Sequence, residues 1–259
     1  MKKLTVILAF LLLAIPNLSF AQYKAFVLFG QSNMRGSGII GEVPYELQVI
    51  PQNAELWVNG SRLNSFTDLA NFGPELTLIH NLSVALPNDQ LLFIKYAVNG
   101  TSLYAWSPTW TPTKAAYTEN EAAGNLYPIL LSHIQTATEG KEVSFSGFFM
   151  MQGERDAKYE IAASHYKNNM ILLVSALRAD LVTEAPFIYG IINPPPDRFP
   201  YAYQVIQAQM GFVRCLPKVY PVSTHGLTKQ SDGVHYDTPG QQELGKRFAD
   251  VFLRLPYIY

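Results

Sequence analysis

A serine near the start of this sequence and an aspartate and histidine near its end are residue types that could react together. Ser32 closely follows an apolar run that stops at Gly30, and Asp232 lies three residues before His235. An acid at this spacing can reach Nδ1 of the imidazole, which fixes the tautomer and leaves Nε2 free to take a proton from a hydroxyl. The set is typical of nucleophilic acyl transfer. Taken alone, each half also fits a structural role, as a helix N-cap or as a surface aspartate beside a structural histidine.

The elements that must position these residues can be predicted from the apolar pattern. The run before Ser32 predicts a buried strand, and Gly30 predicts a tight exit because glycine has no Cβ. Strands are predicted at residues 25–29, 91–98, 143–151, 186–192 and 218–224, with a further short one at 54–58. Helices are predicted at residues 76–86, 121–138, 159–179 and 201–215 and from Thr238 onward. This alternation favours a parallel sheet covered on both faces, with the polar clusters meeting at the carboxyl edge.

Five short motifs, spread over most of the chain, carry a resemblance to a known family. They are GQSNM at 30–34, FGPE at 72–75, NGTSLYAW at 99–106, QGERDA at 152–157 and DGVHYDTPGQ at 232–241. Together they resemble the SGNH hydrolase superfamily and, more narrowly, its sialate O-acetylesterase and family 6 carbohydrate esterase (acetylxylan esterase-like) branch. The resemblance implies an α/β fold of the SGNH or flavodoxin-like type. This is a three-layer α/β/α sandwich with a central, mainly parallel sheet of about five strands.

The resemblance also implies catalytic roles for individual residues. Ser32 would be the nucleophile, His235 the general base and acid, and Asp232 the residue that orients His235. The oxyanion hole would use the backbone N–H groups of Ser32 and Gly100 and the side chain of Gln152. These residue types suit the task, since glycine lets backbone approach a ligand closely and an amide can donate to developing charge.

Other residues of the same motifs are candidates for supporting roles. Glu154 would be either a second partner for the histidine or a structural acid at the floor of the site. Asn99 and Gln31 are further supporting candidates. Trp106 lies in an irregular aromatic loop, and Arg155 stands where the family usually has a small residue. Both are candidates for contact with the sugar.

The composition is that of a globular protein and excludes several classes of partner. Hydrophobic residues make up 48% and charged residues 15% of the 259 positions, and the net charge is −1. Without a basic block, nucleic acid and anionic membranes are not expected as partners. Since no histidine or cysteine spacing resembles a metal motif, neither a metal nor a cofactor is expected. The single cysteine, Cys215, is predicted to be a small buried hydrophobic residue.

The first 21 residues have the pattern of a secretory signal peptide. Two lysines precede an apolar stretch over residues 4–15, and SFA at 19–21 fits a small-x-small cleavage site. We therefore expect cleavage after Ala21 and a single esterase domain over residues 22–259. The protein would be exported to the periplasm or secreted, with no membrane partner after cleavage.

Three functions fit these observations. The preferred one is a secreted serine esterase whose substrate is an acetylated carbohydrate, with the particular sugar and the oligomeric state left open. A glycoside hydrolase using Glu154 and Asp156 as its carboxylate pair is one alternative. A non-catalytic carbohydrate-binding protein on an esterase scaffold is the other. Both leave Ser32, Asp232 and His235 without a role, which is why the esterase is preferred.

Overall fold

The protein is built around one seven-stranded sheet, as a computed structural model that describes residues 22–256 shows. The strands are, in chain order, β1 (Tyr23–Gly30), β2 (Ala54–Val58), β3 (Ser61–Leu63), β4 (Gln90–Ala97), β5 (Val143–Met151), β6 (Phe187–Gly190) and β7 (Val219–Val222). Their order across the sheet is β3-β2-β4-β1-β5-β6-β7. The β2–β3 pair is antiparallel and the other pairs are parallel. β1 therefore lies at the centre, between β4 and β5.

Helices cover both faces of this sheet. They are α1 (Ser32–Arg35), α2 (Tyr45–Gln48), α3 (Glu75–Ala85), α4 (Pro112–Ala116), α5 (Tyr127–Thr138), α6 (Glu160–Asp180), α7 (Ala202–Phe212) and α8 (Thr238–Leu253). α3 packs on α8, and α6 packs on α7. The result is the three-layer α/β/α arrangement that the resemblance implies.

The side chains of β1 show how the core is divided between the two faces. Phe26 packs against Phe252 of α8, with 5.2 Å between the ring centroids. Phe29, three residues on, points to the opposite face and packs against Trp106 at 5.6 Å. Both phenylalanines are fully buried. The strand that leads to Ser32 is thus held rigidly from both sides.

The sheet has seven strands, whereas the apolar pattern predicts about five. β2 coincides with the further short strand expected at 54–58, and β3 is not predicted at all. β3 is only three residues long, Ser-Arg-Leu, so it has no apolar alternation to detect. Its turn, Asn59-Gly60, has φ values of 52° and 79°. An Asn-Gly pair with both φ angles positive is a strong hairpin signal, and it was available in the sequence.

Two helices are shorter than their patterns predict, and one consequence concerns the cysteine. The segment before α5 forms a separate 3₁₀ turn, Glu121–Ala123, so the helix begins only at Tyr127. α7 ends at Phe212, which leaves Cys215 in the turn that leads to β7. Cys215 is an exposed free thiol, so the prediction of a buried residue is wrong.

The predicted signal peptide and its cleavage site, residues 1–21, lie outside the described residues, as do residues 257–259. Between residues 22 and 256, no helix has the length and apolar character needed to cross a membrane.

Candidate active site

Ser32 lies at the centre of the carboxyl edge of the sheet. β1 ends at Gly30, whose φ of 140° favours glycine. A Cβ at this position would lie 2.1 Å from the carbonyl oxygen of Met151 on β5, so a side chain has no room. After Gln31 the chain enters α1, a four-residue helix that begins with Ser32. The close packing of β1 on β5 thus sets where the serine leaves the sheet.

Ser32, His235 and Asp232 form one hydrogen-bonded chain. His235 Nε2 lies 2.9 Å from Ser32 Oγ, and His235 Nδ1 lies 2.5 Å from Asp232 Oδ2. Asp232 Oδ1 accepts the backbone N–H groups of Val234 at 2.8 Å and His235 at 3.0 Å. The carboxylate is therefore fixed within its own loop, and one imidazole nitrogen remains for the serine. The structure brings together residues 203 positions apart in the geometry that the motifs predict.

The surroundings of Asp232 favour its charged form. Partial burial alone would raise its pKa, but hydrogen bonds from the N–H groups of His235 and Val234, together with the imidazole, outweigh burial and lower the pKa. An ionised carboxylate at this place can stabilise an imidazolium. The side chains of His235 and Asp232 have relative exposures of 33% and 37%, so water reaches the pair.

Glu154 is a buried acid beneath the serine and retains 3% of its exposed surface. Its Oε1 accepts a hydrogen bond from Asn33 Nδ2 at 2.7 Å, and its Oε2 accepts one from Gln31 Nε2. Burial raises its pKa, although the hydrogen bond from Asn33 acts in the opposite direction. Since Asp232 holds Nδ1 of the histidine, the geometry fits a structural acid rather than a second partner. Gln31 fits a supporting role through the same carboxylate.

Asn33 is a site residue that sequence reasoning does not single out. It follows Ser32 directly and is completely buried. Its side chain bonds Glu154 and also the backbone of Val234 and Tyr236, on either side of the histidine. Its place in the GQSNM motif was the one signal available.

The loop after β4 carries Gly100 to the edge of the site. Gly100 has a φ of 64°, and a Cβ there would have nothing within 4 Å, so the backbone conformation rather than crowding favours glycine. The neighbouring Thr101 anchors the loop, because its Oγ1 donates to the carbonyl oxygen of Val98 at 2.9 Å. The loop thus presents backbone to the open space above Ser32.

Two residues predicted to touch the substrate instead support this loop from below. Gln152 is completely buried, and its Nε2 donates to the carbonyl oxygen of Thr101 at 2.6 Å. Trp106 is also completely buried, and its Nε1 donates to Thr101 Oγ1 at 3.1 Å. The structure therefore does not support Gln152 as an oxyanion donor or Trp106 as a sugar contact. Both side chains are occupied by Thr101, Gln152 by its carbonyl oxygen and Trp106 by its hydroxyl group.

A cavity of about 270 Å³ opens above Ser32 and His235. Asn99, Gly100 and Phe199 are among the residues that line it. Larger cavities of about 370 and 410 Å³ occur elsewhere in the described chain, and neither is lined by Ser32 or His235. Chemistry rather than size therefore identifies the site.

Three cationic side chains surround this cavity, in the lining of which Glu154 is the one carboxylate. Arg155 is committed to structure, since its Nε and Nη2 donate to the carbonyl oxygen of Thr118 at 2.9 and 2.7 Å. Lys158 Nζ and Arg198 Cζ lie 5.2 and 5.8 Å from the centroid of the Phe199 ring. Lys158 and Arg198 are exposed. The rim of the cavity is thus positively charged.

The second acid of the QGERDA motif faces away from this cavity. Asp156 is completely buried, and its two oxygens accept the backbone N–H of Leu103 at 3.1 and 2.9 Å. Burial raises its pKa to about 7. A glycosidase pair needs both carboxyl groups to flank the sugar, so Glu154 and Asp156 do not fit that alternative.

Within residues 22–256, no cluster of three or more His, Cys, Asp or Glu side chains could hold a metal ion.

A mainly parallel α/β sheet with a hydrogen-bonded Ser-His-Asp chain at its carboxyl edge is an arrangement found among hydrolytic enzymes. Comparison with known proteins narrows this class. A family profile described as "Carbohydrate esterase, sialic acid-specific acetylesterase" matches residues 22–254. The chain belongs to this family and is a carboxylic ester hydrolase, as the motif resemblance implies.

Individual relatives agree with this family. A probable carbohydrate esterase of Arabidopsis thaliana is 26% identical over 257 residues, which cover 89% of this chain and 90% of the plant protein. A solved Arabidopsis thaliana structure superposes with a TM-score of 0.73 at 22% identity, over 89% of this chain and 97% of that one. The structure of NanS superposes with a TM-score of 0.67 at 16% identity, over 91% of this chain and 98% of NanS. The structure of a carbohydrate acetylesterase from Xanthomonas citri superposes with a TM-score of 0.65 at 15% identity, over 87% of this chain and 55% of that one. These structures support the α/β/α fold.

Proposed function

We propose that the protein is an exported serine esterase that removes O-acetyl groups from carbohydrate by two-step acyl transfer. The observation that carries the proposal is the chain of hydrogen bonds from Ser32 Oγ through His235 to Asp232, at 2.9 and 2.5 Å, beside an open cavity. A protein that only binds carbohydrate needs no such chain.

The first step forms an acetyl-enzyme. Ser32 Oγ attacks the acetyl carbonyl carbon while His235 Nε2 takes the hydroxyl proton, and Asp232 stabilises the resulting imidazolium. His235 then gives this proton to the oxygen of the departing sugar. In the second step His235 takes a proton from the water that attacks the acetyl carbonyl. It then returns this proton to Ser32 Oγ as the bond between Oγ and the acetyl carbon breaks and acetate leaves.

The negative charge of each tetrahedral intermediate needs donors that are already in place. The backbone N–H groups of Ser32 and Gly100 are the proposed donors, because both residues line the cavity at the ends of neighbouring strands. Each such donor typically contributes ~3 kcal/mol to the transition state. Gln152 is left out of the hole, and its role becomes that of holding the Gly100 loop through Thr101.

Among acetylated sugars, the charge at the rim favours an acidic one. Lys158 and Arg198 are exposed at the mouth of the cavity, where a carboxylate on the sugar would meet two cations. Arg198 Nη1 donates to the carbonyl oxygen of Asp232 at 2.7 Å, so Arg198 would meet the carboxylate through its other N–H groups. An O-acetylated sialic acid fits this description, whereas an acetylated xylan backbone carries no such charge. Glu154 does not oppose this preference strongly, since it is buried beneath the cavity and burial raises its pKa.

The test is a measurement of acetate released from a panel of O-acetylated sugars. We expect the wild-type protein to release acetate, with a higher kcat/KM for acidic than for neutral sugars. Ser32→Ala should lower the rate by several orders of magnitude while leaving the fold intact, because no other group can form the acetyl-enzyme. A serine-directed fluorophosphonate should add mass to the Ser32 peptide of the wild type. Near-normal acetate release by Ser32→Ala would refute the mechanism.

A further inference from the structure

The side chain of Asn33 joins three segments that are far apart in the sequence. Its Oδ1 accepts the backbone N–H of Tyr236 at 3.1 Å. Its Nδ2 donates to the carbonyl oxygen of Val234 at 3.2 Å and to Glu154 Oε1 at 2.7 Å. Since Asn33 is completely buried, water does not compete for these bonds. Both ends of one amide are therefore satisfied by partners at fixed positions.

Two of these partners are the neighbours of the histidine. Val234 and Tyr236 flank His235, so one side chain grips the backbone on both sides of the imidazole. Asn33 is itself the neighbour of Ser32. The segments that carry Ser32 and His235 are thus joined twice. One link is the hydrogen bond between these two residues, and the other is formed by the side chain of Asn33 and the neighbours of His235.

The buried carboxylate of Glu154 holds the Ser32 end of this connection in place. It accepts hydrogen bonds from Gln31 and Asn33, which are the residues on either side of Ser32. The serine is thereby held from both directions against the segment that follows β5. Asn33 then connects this fixed segment to the loop that carries His235.

We propose that Asn33 is a positioning residue that sets the distance between Ser32 Oγ and His235 Nε2. The proposal rests on the proposed acyl-transfer function. Asn33 lies beneath the cavity rather than in its lining, so its effect on the reaction passes through Ser32 and His235. Proton transfer across 2.9 Å depends steeply on alignment, and a misplacement of ~1 Å can cost ~10²-fold in rate.

The main variant is Asn33→Ala. We expect kcat for acetate release to fall ~10²-fold while KM changes by less than about threefold, because the cavity wall is untouched. The rate at which a fluorophosphonate modifies Ser32 should fall by a similar factor, since that reaction also needs the base but makes no use of the sugar subsite.

Gln230→Ala is the matched control. Gln230 is exposed on the same loop, and its Nε2 donates to the carbonyl oxygen of Ser37 at 3.3 Å. Its loss removes one tie between the same two regions without touching the neighbours of His235. We expect kcat close to that of the wild type. If Asn33→Ala and Gln230→Ala lose activity equally, or if Asn33→Ala changes kcat less than threefold, the proposal is wrong.

An exchange of partners keeps the test decisive if Asn33→Ala does not fold. Asn33→Asp alone places a second carboxylate against Glu154. In the double variant Asn33→Asp/Glu154→Gln, the new amide can donate to the introduced carboxylate and still accept a hydrogen bond from Gln31, so the link between positions 33 and 154 is rebuilt with its donor and acceptor exchanged. The carboxylate can also accept the backbone N–H of Tyr236, whereas the bond to the carbonyl oxygen of Val234 stays lost in both variants. We expect the double variant to exceed Asn33→Asp about tenfold in kcat, or to fold where the single variant does not. A double variant that gains nothing in yield or kcat would overturn the proposal.

The wild-type measurements separate this inference from the function on which it rests. If the wild type releases no acetate from any sugar and does not react with the fluorophosphonate, the proposed function fails. If the wild type does both and Asn33→Ala retains its kcat, only the role of Asn33 fails.

Discussion

Replacing Asp232 by asparagine tests the hydrogen-bonded chain most directly. In Asp232→Asn the amide oxygen can continue to accept the N–H groups of Val234 and His235, as Asp232 Oδ1 does at 2.8 and 3.0 Å. The NH₂ group then occupies the position of Oδ2 and donates to His235 Nδ1. This arrangement moves the imidazole proton to Nε2, and a protonated Nε2 cannot take the proton of Ser32.

The size of the effect follows from the exposure of the pair. Loss of the orienting aspartate in a buried triad costs about 10⁴-fold in kcat. Here Asp232 retains 37% of its exposed surface, so water can partly replace the missing acceptor and reorient the imidazole. We therefore expect a loss of ~10³-fold, which corresponds to about 4 kcal/mol in the activation free energy. KM should change little, since Asp232 faces the histidine.

Glu154→Gln provides the comparison, because Glu154 is the other acid proposed to act on the histidine. Its carboxylate accepts from both Gln31 and Asn33, and an amide can accept from only one of them. We expect a loss of ~10-fold in kcat together with a lower Tm, as one buried donor loses its partner. Both variants are assayed on one acetylated substrate between pH 5 and 9. If Glu154→Gln loses more activity than Asp232→Asn, the assignment of Asp232 as the orienting acid is refuted.

The remaining predictions concern specificity, stability and export. Lys158→Ala should lower kcat/KM about tenfold on an acetylated acidic sugar and little on a neutral one, because one charge-assisted contact is lost; Lys158→Arg is the control, and equal losses on both sugars would contradict the preference. Burial raises the pKa of Asp156 from 3.8 to about 7, so the folded protein keeps a proton that the unfolded chain releases, and stability falls as the pH rises through that window. Asp156→Asn removes this titration, so its free energy of unfolding should improve relative to wild type by up to about 4 kcal/mol between pH 4 and 8; a difference in Tm that does not change with pH would count against it. Mass spectrometry of the exported protein should find a chain that begins at Gln22, and a chain that retains residues 1–21 would contradict cleavage after Ala21.

The sequence predicts the contact between Asp232 and His235 because their relation is local, whereas it is the motif resemblance that implies Ser32, 203 positions away, as their partner. Asp232 and His235 are three positions apart, so their contact needs no knowledge of the fold, and Ser32 follows a strand that its apolar run makes clear. The α/β/α class follows in the same way from alternating strands and helices. The fold class and the contact between Asp232 and His235 thus depend on short-range patterns, which one chain displays in full.

The incorrect predictions concern side chains that contact a part of the chain far away in the sequence. Gln152 can donate to developing charge, but Thr101 from another strand end lies 2.6 Å away and takes that donor. Trp106 follows a glycine motif in an irregular loop, yet the loop folds beneath the sheet and places its ring on Phe29. Neither partner could be identified from spacing, since both contacts depend on how β1, β4 and β5 lie side by side.

The segment after β5 shows how one motif can suggest two different chemistries. Glu154 and Asp156 are a plausible glycosidase pair on the sequence, since both follow one strand end. In the structure each is buried and bonded to the segment that follows another strand. Glu154 bonds the residues around Ser32, after β1, and Asp156 bonds Leu103, after β4. Buried acids that accept amide N–H groups hold backbone rigidly, because leaving those donors unpaired would be costly. The two carboxyl groups therefore fix the nucleophile and the proposed oxyanion loop relative to each other. Rigid placement of these two groups is what the acyl-transfer step requires.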